Sequence, residues 1–202
     1  LADIRAHKYD IVIGTQIIAK GHHFPKLTLV GVIDADLGLQ GGDLRAAERT
    51  YQLLHQVAGR AGREELPGRV YLQTFYPENK VMLALAGHER DTFLDVEAHE
   101  REMAHMPPYS RLAGIIVSGK DERQVLDVSK MLGQSAPHGD GIITLGPADA
   151  PFYRLRGNYR RRLLVRADKK LDVQKTLAHW IGNAKIPSTV RVYIDIDPQS
   201  FF

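Results

Sequence analysis

The chain has 202 residues, of which 44% are hydrophobic and 25% charged, a composition typical of globular proteins rather than disordered or collagen-like ones. It contains no cysteine, which excludes a disulfide framework, a thiol nucleophile and a cysteine-ligated metal within these residues. The formal net charge is only +3, but residues 151–170 hold eight Lys or Arg residues against one Asp.

Apolar runs in the first part of the chain predict a parallel sheet. Each run is short and is bounded by glycine or acidic residues, which is typical of strands buried on both faces. Three strands are too few to complete an α/β domain, so we expect part of a larger one. The predicted strands are 9–13, 27–34 and 69–75.

Three helices are predicted in the same part of the chain. Apolar residues recur at helical spacing over 44–58, with Asp43 placed as the N-cap and Gly59 as the stop. Two further helices are predicted around 78–87 and 90–105.

The pattern changes after Pro107-Pro108, a proline pair that marks a boundary. Beyond it, strands and helices alternate in the order βαββαβ, which predicts the split βαβ of ferredoxin-like folds. The predicted strands are 112–118, 141–145, 161–166 and 190–196, and the predicted helices are 121–134 and 171–184.

The segment QVAGRAGR, residues 56–63, carries a candidate phosphate site. Gln56, Arg60 and Arg63 are spaced to share one helical face, while Gly59 and Gly62 allow a ligand to approach closely. An amide and two guanidiniums on one face suit a polyphosphate. The alternative is a surface helix end whose arginines favour the helix dipole.

A second candidate site follows the first predicted strand. Gly14-Thr15 leads into a turn whose backbone N–H groups and hydroxyl could hold a phosphodiester, and Lys20 and Gly21 come shortly after. Ligands of open α/β sheets gather at the carboxyl ends of strands, so this turn and the arginines are expected at one edge.

The basic segment 151–170 is interleaved with aromatic residues. Guanidiniums pair with phosphates and aromatic rings stack on bases, so the segment is a candidate nucleic-acid surface. A solvated, arginine-rich strand and loop is the alternative. The residues predicted for this surface are Tyr153, Arg154, Arg156, Tyr159, Arg160, Arg161 and Arg162.

These motifs together support a family resemblance. GTQIIAKGHHFP at 14–25 followed by QVAGRAGR at 56–63 resembles motifs V and VI of superfamily 2 helicases. The resemblance narrows to the PriA-type primosomal replication-restart DNA helicases, also called primosomal protein N′, through the intervening Asp34-Ala-Asp36, DLRAAER at 43–49 and Tyr51-Gln-Leu-Leu. It continues to the closing Asp195-Ile-Asp197-Pro198. The likeness covers nearly the whole chain.

The resemblance implies a 3′→5′ DNA helicase that recognises stalled or abandoned replication forks and restarts replication by primosome assembly. Residues 1–88 would be the C-terminal part of a RecA-like second lobe, 89–110 a helical connector and 111–202 a C-terminal domain that binds DNA and partner proteins. Since the chain opens with Leu1 and not Met, we expect a fragment, and the resemblance implies that it is the C-terminal part of such a helicase.

The resemblance also implies roles for individual residues. Arg60 and Arg63 would be arginine fingers that reach a triphosphate, and Gln56 would help orient the attacking water. Thr15 and Gly21 match positions that contact the single-strand backbone. The nucleotide-binding positions would be Lys20, Gly21 and His23, although many superfamily members carry Asp in place of His23.

Cofactors and partners follow from the same resemblance. ATP and Mg²⁺ would be bound mainly by the other lobe, and zinc by a cysteine-rich module outside these residues. We expect no metal site here, and no ATP hydrolysis by this chain alone, since no P-loop lysine or acidic metal-binding motif occurs in it. The implied partners are branched and single-stranded DNA, the single-strand-binding protein and other primosome proteins in the cytoplasm at the nucleoid, and no membrane.

Two other functions remain open. The chain could be a non-catalytic DNA-binding adaptor for forks, or part of another superfamily 2 DNA translocase that shares motifs V and VI. The βαββαβ segment and the DLRAAER link are not expected in such a translocase.

Overall fold

The computed structural model describes residues 2–6, 8–15, 27–40, 43–59, 61 and 67–200. The chain divides into two compact units, Leu1–Asp95 and Val96–Phe202, called here the first and second units. The division falls inside one helix, within the segment predicted as a helical connector.

The first unit contains a two-stranded parallel sheet. Its elements are α1 (Ala2–Arg5), β1 (Leu29–Val32), a 3₁₀ helix (Leu37–Leu39), α2 (Ala46–Ala58), β2 (Arg69–Leu72), α3 (Lys80–Gly87) and the start of α4 (Arg90–Met103). Leu29 lies opposite Arg69 and Val32 opposite Leu72, so β1 and β2 confirm two of the predicted strands at shorter lengths. The helices predicted at 78–87 and 90–105 are confirmed as α3 and α4.

The strand predicted at 9–13 is wrong. These residues have no regular secondary structure, and Ile13 is 92% exposed. In the described part of the first unit, the ladder joins only β1 and β2, so no neighbouring backbone pairs with this segment. An apolar run forms a stable strand only where a neighbouring strand pairs with its backbone.

Helix α2 begins at Ala46, two residues later than the predicted start at residue 44. The N-cap is Arg45 and not Asp43, whose side chain instead accepts a hydrogen bond from the Arg45 N–H at 3.1 Å. The predicted stop is confirmed, since Gly59 is the C-cap and its N–H donates to the His55 carbonyl.

Small apolar clusters hold the first unit together. Tyr51 of α2 stacks on Phe93 of α4 with ring centroids 4.6 Å apart, and Leu54 of the same helix packs with Ala35 and Met82. Packing of α2 beside the parallel strands gives a mixed α/β unit. That this unit is a RecA-like lobe stays a prediction.

The second unit has the predicted βαββαβ order. Its elements after α4 are β3 (Ser110–Gly119), α5 (Glu122–Gln134), β4 (Ile142–Leu155), β5 (Asn158–Asp168), α6 (Val173–Gly182) and β6 (Val190–Ile196). The sheet order is β4-β5-β3-β6 with every neighbouring pair antiparallel, which is the split βαβ topology.

Strand β4 is much longer than predicted. The sequence predicted a strand at 141–145 only, whereas β4 continues to Leu155 and pairs with β5 through two register shifts. A two-residue turn at Arg156-Gly157, both with positive φ, closes the hairpin. Most of the basic segment is therefore strand and not loop.

One face of the second sheet is covered by both helices of the βαββαβ unit. Buried residues of β3 and β5, such as Ile115, Val117, Leu163 and Val165, pack with apolar residues of α5 and α6, including Leu177. Asp121 and Asp172 cap these helices by accepting hydrogen bonds from Gln124 N–H and Lys175 N–H, each at 3.0 Å. We call the side of the sheet away from these helices the open face.

Candidate nucleic-acid interface

Most of the residues predicted to contact a nucleotide lie outside the described residues. They are Arg60, Arg63, Lys20, Gly21 and His23. Two predicted residues of the first unit are described. Gln56 is exposed near the end of α2, and Thr15 is exposed in an irregular segment.

Asp36 ties together the ends of the two parallel strands. Its side chain is buried, 1% exposed, and accepts hydrogen bonds from the Thr74 hydroxyl at 2.5 Å and the Phe75 N–H at 2.7 Å. A buried carboxylate needs hydrogen-bond donors of this kind to replace the water it loses on burial. Asp36 therefore orders the carboxyl edge of this sheet, the edge where the sequence predicted a ligand.

The predicted DNA-binding residues of the second unit lie on two different faces. Side chains along β5 alternate, and the buried Leu163 fixes the helix-covered side for odd-numbered positions. Tyr159 and Arg161 therefore point to the helix-covered side, while Arg160 and Arg162 point to the open face. The predicted set is not one continuous surface.

The predicted residues on the helix-covered side already form contacts with other side chains of the protein. Arg161 forms an ion pair with Asp149, with Nη1 and Oδ1 2.8 Å apart. The Arg154 guanidinium lies 5.2 Å from the ring centre of Tyr159 in a cation–π contact. These contacts stabilise the β4–β5 hairpin, and Arg156 lies exposed at its turn.

Tyr153 is held by the second unit's own helix. Its hydroxyl donates a hydrogen bond to Glu122 in the first turn of α5, and its ring packs edge-on against Tyr159. The hydrogen bond to Glu122, followed by burial and the charge of that carboxylate, raises the pKa of Tyr153 to about 12. Tyr153 is therefore a tether between hairpin and helix, not a free stacking surface.

The open face carries a compact basic and aromatic cluster. Arg160 lies opposite Ser118, which lies opposite Arg191; one row further on, Arg162, Ile116 and Tyr193 are aligned in the same way. Neighbouring strands are about 4.8 Å apart, so the outer members of each row are about 10 Å apart. Arg160, Arg162, Arg191 and Tyr193 are named here the open-face cluster.

Sequence reasoning missed half of this cluster. Arg191 and Tyr193 come from β6, about 30 residues after Arg162, and only the sheet register aligns them with β5 across β3. The signal was present in VRVYIDI at 190–196, where alternate positions hold Arg191, Tyr193 and Asp195.

The charge of the open-face cluster is largely uncompensated. Within the described part of the chain, no carboxylate or carbonyl receives a hydrogen bond from the side chain of Arg160, Arg162 or Arg191. Asp195 lies one row beyond Tyr193 on the same face. Guanidiniums without a protein partner at a sheet surface are available to bind phosphate oxygens.

Neither a cluster of metal ligands nor a bilayer-spanning helix occurs among the described residues. No group of three or more His, Asp or Glu side chains there is placed to hold a metal ion. The helices described are also too short or too polar to span a bilayer.

The fold and the cluster define a class of protein: an α/β unit joined to a ferredoxin-like unit with a basic open sheet face. Residues 102–199 match the family model "Primosomal protein N C-terminal domain". The chain is 51% identical over 193 residues to "Replication restart protein PriA" of Rickettsia prowazekii (strain Madrid E), covering 96% of this chain and 30% of that protein.

More distant relatives have the same description. "Replication restart protein PriA" of Haemophilus influenzae is 36% identical over 202 residues, covering 98% of this chain and 28% of that protein. The protein of that name from Treponema pallidum is also 36% identical, covering 98% and 30%. The chain therefore belongs to the PriA replication restart family, and it spans about 30% of the length of these relatives.

Proposed function

We propose that this chain is part of an ATP-dependent 3′→5′ DNA helicase that recognises stalled or abandoned replication forks and restarts replication by primosome assembly. Relatives named for replication restart support the process. In this proposal the second unit binds DNA through the open-face cluster. The observation that carries this role is the set of three guanidiniums on one sheet face, for which the described residues provide no hydrogen-bond or ion-pair partner.

The chemistry of such a surface is binding to the phosphate backbone. Arg160, Arg162 and Arg191 each present a planar, permanently charged fork that matches phosphate oxygens. Contacts of this kind position DNA without reading its sequence, which suits a protein that must act at forks of any sequence. Binding releases counterions, so affinity falls as salt rises.

The first unit contributes to nucleotide chemistry in this proposal. Arg60 and Arg63 contact a triphosphate bound mainly by the other lobe together with Mg²⁺, and Gln56 helps orient the attacking water. Lys20, Gly21 and His23 lie on the nucleotide side, while Thr15 and Gly21 contact the single strand. Zinc belongs to a cysteine-rich module outside these residues. Gln56, exposed on α2, and Thr15, exposed in an irregular segment, are the described members of this set and are accessible for such roles.

Protein partners are proposed on the same grounds. The single-strand-binding protein and other primosome proteins assemble with the whole protein at the fork. An acidic segment of a partner would compete with DNA for the guanidiniums of the second unit, since both carry negative charge.

A matched pair of variants tests the DNA-binding role. We expect the double substitution Arg160→Gln and Arg162→Gln to weaken binding of the chain to forked DNA by at least about tenfold, because a hydrogen bond to a charged group is worth roughly 1.5 kcal/mol or more. Fluorescence anisotropy with a labelled fork measures the loss.

The control is Arg161→Gln, which removes a neighbouring arginine that is paired with Asp149 on the other face. This variant should bind forked DNA like the wild type. Equal losses in the double variant and the control, or no loss in either, would contradict the assignment of the open face.

A further inference from the structure

The open-face cluster contains one aromatic side chain, and it is accessible. Tyr193 is 54% exposed on β6, and among the described residues no hydrogen bond or ring contact engages it. It lies in the row of Arg162 and Ile116, and its neighbours two positions along β6 on the same face are Arg191 and Asp195. A flat ring therefore lies near two guanidiniums, those of Arg162 and Arg191.

We propose that the open face binds single-stranded nucleic acid, with a base stacked on Tyr193 and the adjoining phosphates paired with Arg162 and Arg191. This inference rests on the proposed function and names the form of DNA that its surface takes. Stacking on an aromatic ring needs a base whose face is free, and only an unpaired base offers one.

The width of the sheet favours the single strand over duplex. Four strands spaced about 4.8 Å apart extend about 14 Å from β4 to β6, without their side chains. The major groove of B-DNA is about 12 Å wide, so the face cannot enter it, and the ring of Tyr193 cannot reach the faces of stacked, paired bases. A duplex can contact only the guanidiniums.

The spacing of the charged groups suits a nucleic-acid backbone that crosses the β-strands of the sheet. Arg162 and Tyr193 are about 10 Å apart across Ile116, and Arg191 is about 7 Å from Tyr193 along β6. A phosphate on either side of a base stacked on Tyr193 then has a guanidinium within reach of a long side chain. The half-buried Ile116 supplies an apolar floor between them.

The acidic neighbour limits where the strand runs. Asp195 lies one row beyond Tyr193 on the same face and repels phosphate, whereas Arg191 and Arg160 lie on the other side of Tyr193. The bound single-stranded nucleic acid therefore passes over the N-terminal end of β6, at Val190, and not over its C-terminal end, near Asp195.

The test compares two substitutions at Tyr193 in the 202-residue chain. Tyr193→Leu removes the ring and Tyr193→Phe retains it. Anisotropy measures binding to an oligothymidylate of about 15 nucleotides, within the site sizes of roughly 4–16 nucleotides common for such surfaces, and to a duplex of equal length. Tyr71→Leu is the control, because Tyr71 is similarly exposed, at 59%, but lies in the first unit.

We expect Tyr193→Leu to weaken oligothymidylate binding at least about fivefold, the lower end of the effect of losing one stacked base, and to leave duplex binding unchanged. Tyr193→Phe and Tyr71→Leu should bind both like the wild type. Unchanged oligothymidylate binding by Tyr193→Leu, an equal loss on both DNAs, or a loss in Tyr193→Phe would each overturn the inference.

Failure here is separable from failure of the proposed function. If the double substitution at Arg160 and Arg162 weakens fork binding while Tyr193→Leu leaves oligothymidylate binding unchanged, the DNA-binding surface is supported and the single-strand assignment is wrong. If neither variant changes binding, the DNA-binding surface and the single-strand assignment are both wrong.

Discussion

Asp197 joins the end of the second unit's last strand to its first strand. Its Oδ2 accepts a hydrogen bond from Arg111 Nε at 2.7 Å, its Oδ1 accepts one from the Leu112 N–H at 3.1 Å, and its own N–H donates to the Leu112 carbonyl at 2.7 Å. Burial alone would raise the pKa of Asp197, but the hydrogen bonds from Arg111 and Leu112 outweigh burial and lower that pKa below its ordinary value. The same hydrogen bond raises the pKa of Arg111.

This pair makes part of the stability of the second unit depend on pH. A carboxylate with a lowered pKa in the folded state stabilises the fold above its unfolded pKa, near 4, and this contribution is lost as pH falls through the folded pKa. We expect Asp197→Asn to lower the melting temperature at pH 7, with a gap from the wild type that narrows towards pH 3. Circular dichroism melts at several pH values measure the gap.

Asp195→Asn is the matched control for this prediction. Asp195 lies on β6, two residues before Asp197, and in the described part of the chain it has no ion pair. Its substitution should give no comparable gap at pH 7. A gap for Asp197→Asn that is as large at pH 3 as at pH 7 would mean that the carboxylate's charge contributes nothing.

Strand β5 is the element on which the account of the open face depends. Leu163 is 1% exposed within the core cluster, whereas its neighbour Leu164 is half-buried on the open face. We expect Leu163→Ala to lower the free energy of unfolding by about 2–5 kcal/mol, because it leaves a cavity in the core. Leu164→Ala should cost clearly less, as measured by urea unfolding.

The two variants remove the same atoms from adjacent positions, so each controls for the other. If Leu164→Ala proved the more damaging, the register of β5 would be shifted by one residue. Arg161, and not Arg160 and Arg162, would then lie on the open face.

The elements that the sequence predicted well are those with a clear apolar pattern. The run Leu163-Leu164-Val165 was sufficient to place β5, and the order of such runs and helical segments predicted βαββαβ. The extension of β4 was missed because Pro147 and Pro151 interrupt the run, and two register shifts accommodate the irregular stretch between residues 145 and 154. Segment 9–13 had the apolar pattern but no strand to pair with.

The candidate site was predictable only in part, for a geometric reason. Arg160, Arg161 and Arg162 are contiguous in the sequence and were treated as one surface, but a strand places consecutive side chains on opposite faces. Tyr193 could not be joined to them without the register of β3 with both β5 and β6.

At the scale of the whole molecule, the chain spans about 30% of the length of its relatives. We expect the isolated chain, prepared free of other ATPases, to release no phosphate from ATP, because its sequence holds neither a P-loop lysine nor an acidic Mg²⁺-binding motif. In the full-length protein, Arg63→Ala should reduce kcat by about 10³-fold or more, the usual effect of removing an arginine finger.

Phosphate release assays on both proteins measure these effects. Turnover by the isolated chain that persists after Arg63→Ala would contradict the two-lobe proposal. Normal turnover by the full-length Arg63→Ala protein would remove Arg63 from the nucleotide site.

The salt dependence of DNA binding tests the open face most directly. The logarithm of the binding constant for forked DNA falls linearly with the logarithm of salt concentration, by roughly one unit of slope for each phosphate contact. We predict that the double variant Arg160→Gln and Arg162→Gln has a slope shallower by about two than the wild type, and that Arg161→Gln keeps the wild-type slope. A double variant with the wild-type slope would contradict the account.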